Sequence, residues 1–165
     1  MFTIPACPPT SLVGASNMAI TVRQATAADL DLLMPLFDGY RQFYRQQSEP
    51  DRIRQFLLDR FEHNQSILFL ALIDGVAVGF TQLYPSFSSG ALARIFILND
   101  LFVDPYARRS GAGAALLSAA AHYARQVRAL RLVLSTAATN STAQSLYENL
   151  GWKLNSDFVT YQLLL

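Results

Sequence analysis

Apolar positions along this chain follow two periods, and the places where one gives way to the other mark its elements. Leu30, Leu33, Met34 and Phe37 recur at helical spacing, and Thr26-Ala27-Ala28-Asp29 ahead of them has the form of a capping box. A first strand at Ala19-Ile20-Thr21-Val22-Arg23 and a first helix are therefore expected. Gly39 weakens that helix, and the aromatic group Tyr40, Phe43 and Tyr44 follows. Ser48-Glu49-Pro50-Asp51 signals a second helix, carried by Ile53, Phe56, Leu57 and Phe61. The apolar run from Ser66 to Ile73, the turn Asp74-Gly75 and the return from Val76 to Leu83 predict a β-hairpin. Tyr84 to Gly90 is expected to be a loop, and Leu92 to Val103 a long strand. A third helix is predicted from about Gly111 to Gln126, with Leu116, Ala120, Tyr123 and Val127 on one face. Arg125 and Arg128 suit its C-terminal dipole. A strand from Arg131 to Ser135, a helix from Asn140 to Leu150 and a terminal hairpin of Trp152-Lys153 with Phe158 to Leu163 complete the order βααβββαβαββ. That order reads as one α/β domain with a mixed central sheet flanked by helices.

Composition narrows the function classes. With 165 residues, 52% of them hydrophobic, the chain has material for one domain with a sizeable core. A net charge of +1 supplies no global field toward nucleic acid or an anionic membrane, so neither is expected as a partner. Cys7 is the single cysteine, which excludes an internal disulfide and disfavours a thiolate zinc site; a reducing cytoplasm is the simplest compartment. His63 and His122 have no Cys, Asp or Glu at ligand spacing, and no metal is expected. Residues 1–17 contain Pro5, Pro8 and Pro9, with no positive start and no long apolar run. They read as an extension ahead of a domain spanning 18–165 rather than as an export signal.

The segment from Asn99 to Ala114 carries the most chemistry. The apolar run Ile95-Phe96-Ile97-Leu98 leads into Asp104-Pro105, then Arg108-Arg109-Ser110-Gly111-Ala112-Gly113-Ala114 opens a helix. Gly111 and Gly113 let a ligand approach the backbone, and the amides of the first turn point at it with the positive end of the helix dipole. A phosphate or pyrophosphate fits there. No Gly-Lys-Ser/Thr follows, which argues against a nucleotide triphosphatase loop, and Leu116 stands where the dinucleotide fingerprint needs its third glycine.

Arg108-x-x-Gly111-x-Gly113 after an apolar strand resembles the phosphate motif of the GNAT superfamily of acyl-CoA-dependent N-acyltransferases. A later run, Asn140-x-x-Ala143-x-x-x-Tyr147-x-x-x-Gly151-Trp152, is similar to that family's second pattern. The resemblance extends from about Ile20 to the C-terminus and is strongest from Arg94 to Trp152. It points toward bacterial relatives of histone and polyamine acetyltransferases. It implies the GNAT fold, acetyl-CoA (coenzyme A) as co-substrate, and transfer to an amine of a small molecule or peptide in a ternary complex. Homodimers are common in the family. The alternative is a non-catalytic module that senses acyl-CoA.

Carried onto this sequence, the resemblance puts the pyrophosphate on amides of Arg109, Ser110, Gly111, Ala112, Gly113 and Ala114. Arg108 or Arg109 either adds charge there or is a solvated surface arginine. Pantetheine would pair with the backbone of Leu101 and Val103, on either side of Phe102, with an amide near Leu101 placed for the oxyanion. Tyr147 would protonate the departing sulfur, or else serve as core beside Ala143, Leu146 and Leu150. Asp100 is the candidate base, or the cap of a bulge amide. Where polyamine acetyltransferases of the family carry Glu-Asp, this chain reads Asn99-Asp100, so their glutamate base is missing. Asn140 would bond pantetheine, cap its helix, or do both. Tyr40, Tyr44, Tyr84 and Phe87, with Asn99, are the expected lining of the acceptor cleft.

Overall fold

The structure, a computed structural model, describes residues 19–165; the expected extension at 1–17 lies outside the described residues. Five strands, β1 (Ile20–Gln24), β2 (Ile67–Ile73), β3 (Val76–Ser88), β4 (Ala93–Val103) and β5 (Arg131–Val133), lie in one sheet in sequence order. β1 to β4 are antiparallel neighbours, and β5 joins β4 in parallel. Helices α1 (Leu30–Phe43) and α2 (Pro50–Glu62) cover one face; α3 (Ala112–Gln126) and α4 (Ser141–Asn149) pack on the other. No helix among the described residues is long and apolar enough to cross a membrane.

Each face has its own core. Leu33, Phe37, Ile53 and Leu57 meet Leu68, Leu70, Phe80 and Phe102 beneath α1 and α2. Leu116, Leu117 and Ala120 of α3 meet Phe69, Leu83, Phe96 and Leu98. The expected hairpin turn forms with Asp74 and Gly75 both at positive φ, the pairing that lets two residues join twisted antiparallel strands. α1 runs through Gly39 because an added Cβ there would stand 2.9 Å from the Phe102 ring; the glycine makes room for the core.

Three expectations are corrected. Tyr84 to Ser88 is not a loop but the end of β3, because β4 is long enough to pair with it through Ala93. Pro85 is tolerated there since β2 stops opposite Leu83, leaving one side of β3 free. The strand expected at Arg131–Ser135 ends at Val133. No terminal hairpin forms: Trp152 packs on Tyr147, with ring centroids 6.1 Å apart, and the chain beyond it stays outside the sheet. Phe158, Val159, Tyr161 and Leu163 are at least 77% exposed. Their alternating pattern calls for a strand partner, and within one chain the three-residue β5 offers little edge to extend.

Candidate active site

One irregularity in β4 organises the site. Leu98 pairs with Leu83 and Asp100 with Gln82, so Asn99 is an extra residue, a β-bulge. Side chains alternate between faces along a strand, and the insertion shifts that alternation by one. Before the bulge Phe96 and Leu98 point into the α3 core; after it Phe102 packs under α1 and α2, and Asp100 shares that face.

The bulge also coincides with a parting of strands. β5 pairs with β4 at Ile95, Phe96 and Ile97, and beyond them that edge of β4 has no strand partner among the described residues. The Asp104 N–H donates to Val78 of β3 at 2.8 Å, and Thr81 Oγ1 donates to the Asp100 carbonyl at 2.8 Å. Even-numbered positions here thus turn their backbone groups toward β3. By the antiparallel alternation Leu101 and Val103 turn theirs to the open side.

A cavity of about 780 Å³ occupies the opening. Leu98 to Val103 without Asp100 form one wall, and Ser135 and Thr136 with α4 form the opposite one. At one end stands the turn before α3. Arg109 and Gly111 both have positive φ, 64° and 95°, so the chain curls there, and Arg109, Gly111, Ala112, Gly113 and Ala114, though not Ser110, line the cavity. Among the described residues no backbone or side-chain acceptor takes the N–H groups of Arg109, Ser110, Gly111, Gly113 or Ala114. The Ala112 amide, expected to join them, donates instead to Ser110 Oγ at 3.3 Å. Gly113 is needed for packing: a Cβ there would come within 3.3 Å of Leu146.

Arg108 and Arg109, both exposed, line the cavity. Arg108 Nε reaches the outward carbonyl of Val103 at 3.4 Å, and its guanidinium lies 6.0 Å from the Phe43 ring. Asn140 lines the cavity and caps α4, its Oδ1 accepting the Ala143 N–H at 3.2 Å. Tyr147 is half-buried in the cavity wall, and burial, followed by the neighbouring Tyr44, pushes its phenol up and keeps it protonated at neutral pH.

Tyr40, Tyr44 and Asn99 line the same cavity, whereas two expected lining residues do not. Phe87 is 69% exposed near the far end of β3, opposite Arg94, whose guanidinium lies 5.6 Å from its ring. Tyr84 lies behind the wall on the face of Asp100, where burial and the nearby Asp100 charge push its phenol up to about 12. Asp100 is itself only 4% exposed. Desolvation raises its carboxyl above the usual range, opposed by the Tyr40 hydroxyl and by Asn99 Nδ2, which donates at 3.1 Å. No backbone amide among the described residues donates to the carboxylate, so it does not cap the bulge.

The comparisons with known proteins now bear on this geometry. The model of the Acetyltransferase (GNAT) family matches residues 30–152, three-quarters of the chain and every wall of the cavity. The chain belongs to the GNAT family of acetyltransferases. It is 48% identical over 144 residues to an uncharacterized N-acetyltransferase, YhfO, of Bacillus subtilis, covering 87% of this chain and 97% of that one. A crystal structure of a probable acetyltransferase superposes with a TM-score of 0.84 at 43% identity, covering 88% of this chain and 97% of the other. The fold is shared too with an aminoglycoside N-acetyltransferase, AAC(6′)-Iy, solved in complex with CoA, at a TM-score of 0.76, 19% identity and coverage of 92% and 99%.

Behind the wall of this acetyltransferase lies a polar group that its sequence did not disclose. Gln82, fully buried, donates through Nε2 to Ser66 Oγ at 2.7 Å, while its Oε1 has no partner among the described residues. Arg60 of α2 stacks 4.5 Å from the Phe56 ring, and its charge holds the Tyr84 phenol down against burial, while its buried Nε has no partner among the described residues. The available signal was one glutamine within the apolar run Val78-Gly79-Phe80-Thr81-Gln82-Leu83. A polar residue buried in a strand asks for a reason.

Proposed function

We propose that this acetyltransferase moves the acetyl group of acetyl-CoA to a primary amine of a small molecule or peptide, by direct attack with both substrates bound. The observation that carries the reading is one continuous cavity that joins the open β4 edge at Leu101 and Val103, the turn whose amides at Arg109, Gly111, Gly113 and Ala114 are free, and the Tyr147 phenol. An amide-lined turn at a helix start suits a pyrophosphate, and an unpaired strand edge suits the amide-bearing pantetheine arm. Asn140, already an N-cap, retains a donor for that arm through its Nδ2.

In this reading the amine nitrogen attacks the thioester carbon, the oxyanion meets the outward amide near Leu101, and the C–S bond breaks. Tyr147 gives its proton to the departing sulfur and is restored by the second proton that the acylated nitrogen sheds as the amide forms. The acceptor enters between Tyr40, Tyr44 and Asn99, and Asp100 is the final proton acceptor. Cytoplasmic location and a homodimer complete the proposal; the exposed apolar residues after Trp152 supply a surface for a second copy, which light scattering of the purified protein would read.

The test is release of CoA thiol from acetyl-CoA across polyamines, amino acids, aminoglycosides, arylamines and basic peptides. Turnover with one amine class, lowered by about a hundredfold or more in Tyr147→Phe, is the expected result. A wild-type protein that binds acetyl-CoA yet acetylates none of these amines would sink it.

A further inference from the structure

Asp100 poses a problem of access. It is the carboxylate best placed to take a proton, yet it is 4% exposed and forms no part of the cavity wall, although Asn99 and Leu101 on either side do. The bulge at Asn99 is the cause, since it turns Asp100 into the face under α1 and α2. An ammonium in the cavity therefore cannot meet that carboxylate directly.

Tyr40 bridges the two environments. It comes from α1, lines the cavity, and packs its ring on Phe80, on the same sheet face that buries Asp100, so the carboxylate charge acts on its phenol. Its ring is fixed by neighbours on several sides: Tyr44 at 5.1 Å and Phe37 and Phe80 at 6.0 Å between centroids. Among the described residues the hydrogen bond that the Asp100 carboxylate accepts comes from Asn99, and catalytic contacts such as one from Tyr40 commonly close only when substrate completes the site. The remaining groups toward Asp100 are Tyr84 and Gln82 from β3, Arg60 from α2 by way of Tyr84, Tyr44 from α1 by way of Tyr40, and Asn99. None of them forms an ion pair with the carboxylate, so its affinity for a proton is not spent on a cation.

We propose that Tyr40 conducts the acceptor's proton: its phenol oxygen takes a proton from the bound alkylammonium while its own hydroxyl proton passes to Asp100. This rests on the transferase reading above. One N–H bond breaks at the acceptor and one O–H bond forms at Asp100; between them Tyr40 exchanges one proton for another and ends as a neutral phenol. The free lone pair of the amine is then the nucleophile. A stepwise route through a Tyr40 phenolate is disfavoured, because burial and the Asp100 charge both drive that phenol's pKa upward. The two transfers are therefore coupled. Tyr40 is thus a catalytic residue, and Asp100 accepts the proton without touching the acceptor.

The test compares Tyr40→Phe, which keeps the ring and its packing, and Asp100→Asn with the wild type on two acceptors. One is an alkylamine, charged at neutral pH with a pKa near about 10.4. The other is an arylamine or acyl hydrazide, already neutral in the assay. The expected result is a kcat with the alkylamine about a hundredfold lower in either variant, with KM for acetyl-CoA unchanged. With the neutral acceptor the variants should stay within about threefold of wild type, and the double variant should be no slower than the slower single one, as for two groups acting as a unit. Wild-type kcat in Tyr40→Phe with the alkylamine would overturn the proposal. So would an equal loss on both acceptors, which is what packing alone would produce. If the wild type acetylates neither acceptor nor any amine in the panel, the transferase reading fails first, and that outcome is distinct from the other two.

Discussion

The two halves of the cavity share one strand and are built from opposite materials. Toward the end proposed for the donor, the groups offered to a ligand are backbone: the free amides of Arg109, Ser110, Gly111, Gly113 and Ala114 and the outward edge of Leu101 and Val103. Toward the end proposed for the acceptor they are side chains, Tyr40 and Tyr44 of α1 and Asn99 of β4, with a buried carboxylate behind them. A backbone site depends on conformation and is nearly indifferent to side-chain identity. A side-chain site depends on identity and burial, and a buried charge there destabilises the fold.

The sharpest way to break this contrast is to change conformation at the donor end without crowding it. Gly111 has φ 95°, and an added Cβ would meet only Ile20 Cδ1 at 3.6 Å, so space is available and the backbone is the constraint. Gly111→Val puts a β-branched residue into that region at a strain of about 1–3 kcal/mol. If the turn relaxes to relieve it, the amides turn away. The expected effect is a rise of about tenfold or more in the Kd for acetyl-CoA by calorimetry, on the scale of about 1.4 kcal/mol per factor of ten. Gly111→Asn, which tolerates the left-handed region, should lose much less. Equal binding by the valine variant would show that this conformation does not set the cradle.

The same division explains what could be read before the structure. A backbone site needs glycines at fixed spacing along one local stretch, so Gly111 and Gly113 announced the turn, and Asn140 to Trp152 announced α4. The resemblance implies a bulge in this strand but not its place; its position at Asn99, and its effect of turning Asp100 from the cavity, depend on register with β3. The approach of Tyr40 to Asp100 spans distant parts of the chain and leaves no local pattern. Nor did the aromatic residues of the Tyr84–Phe87 segment reveal their places, because alternation along β3 sends Tyr84 inward and leaves Phe87 exposed beyond the cleft. The terminal residues had the period of strands but lack a neighbouring edge within this chain, and periodicity cannot supply a partner.

A middle-sized effect tests whether the acceptor end carries a stability cost. The folded pKa of Asp100 lies above the unfolded value of about 3.9, so the folded state binds that proton more tightly. Its contribution is full below about pH 4, declines as pH rises through the folded value, and remains a fixed penalty above it. Asp100→Asn should therefore raise the Tm at pH 7 to 8, by about 2–4 °C for each kcal/mol relieved, while lowering activity. The two melting curves should converge near about pH 4, below which the wild-type carboxyl is also neutral. A difference of the same size at both pH values would mean that the carboxylate is not penalised by burial.

The smallest expected effect is at Arg109, and it distinguishes backbone from guanidinium as the source of anion binding. Arg109 is exposed, holds φ 64°, and leaves its amide without a protein acceptor. Arg109→Gly retains that amide and suits the left-handed conformation, while deleting the charge. An exposed guanidinium contributes about 0–1 kcal/mol to an ion pair, so the Kd for acetyl-CoA should change by no more than about fivefold. Any loss should shrink in high salt, where screening already weakens an exposed charge. A loss of about a hundredfold would assign the pyrophosphate to the Arg109 side chain, and the donor half of the cavity would then be a side-chain site like the acceptor half.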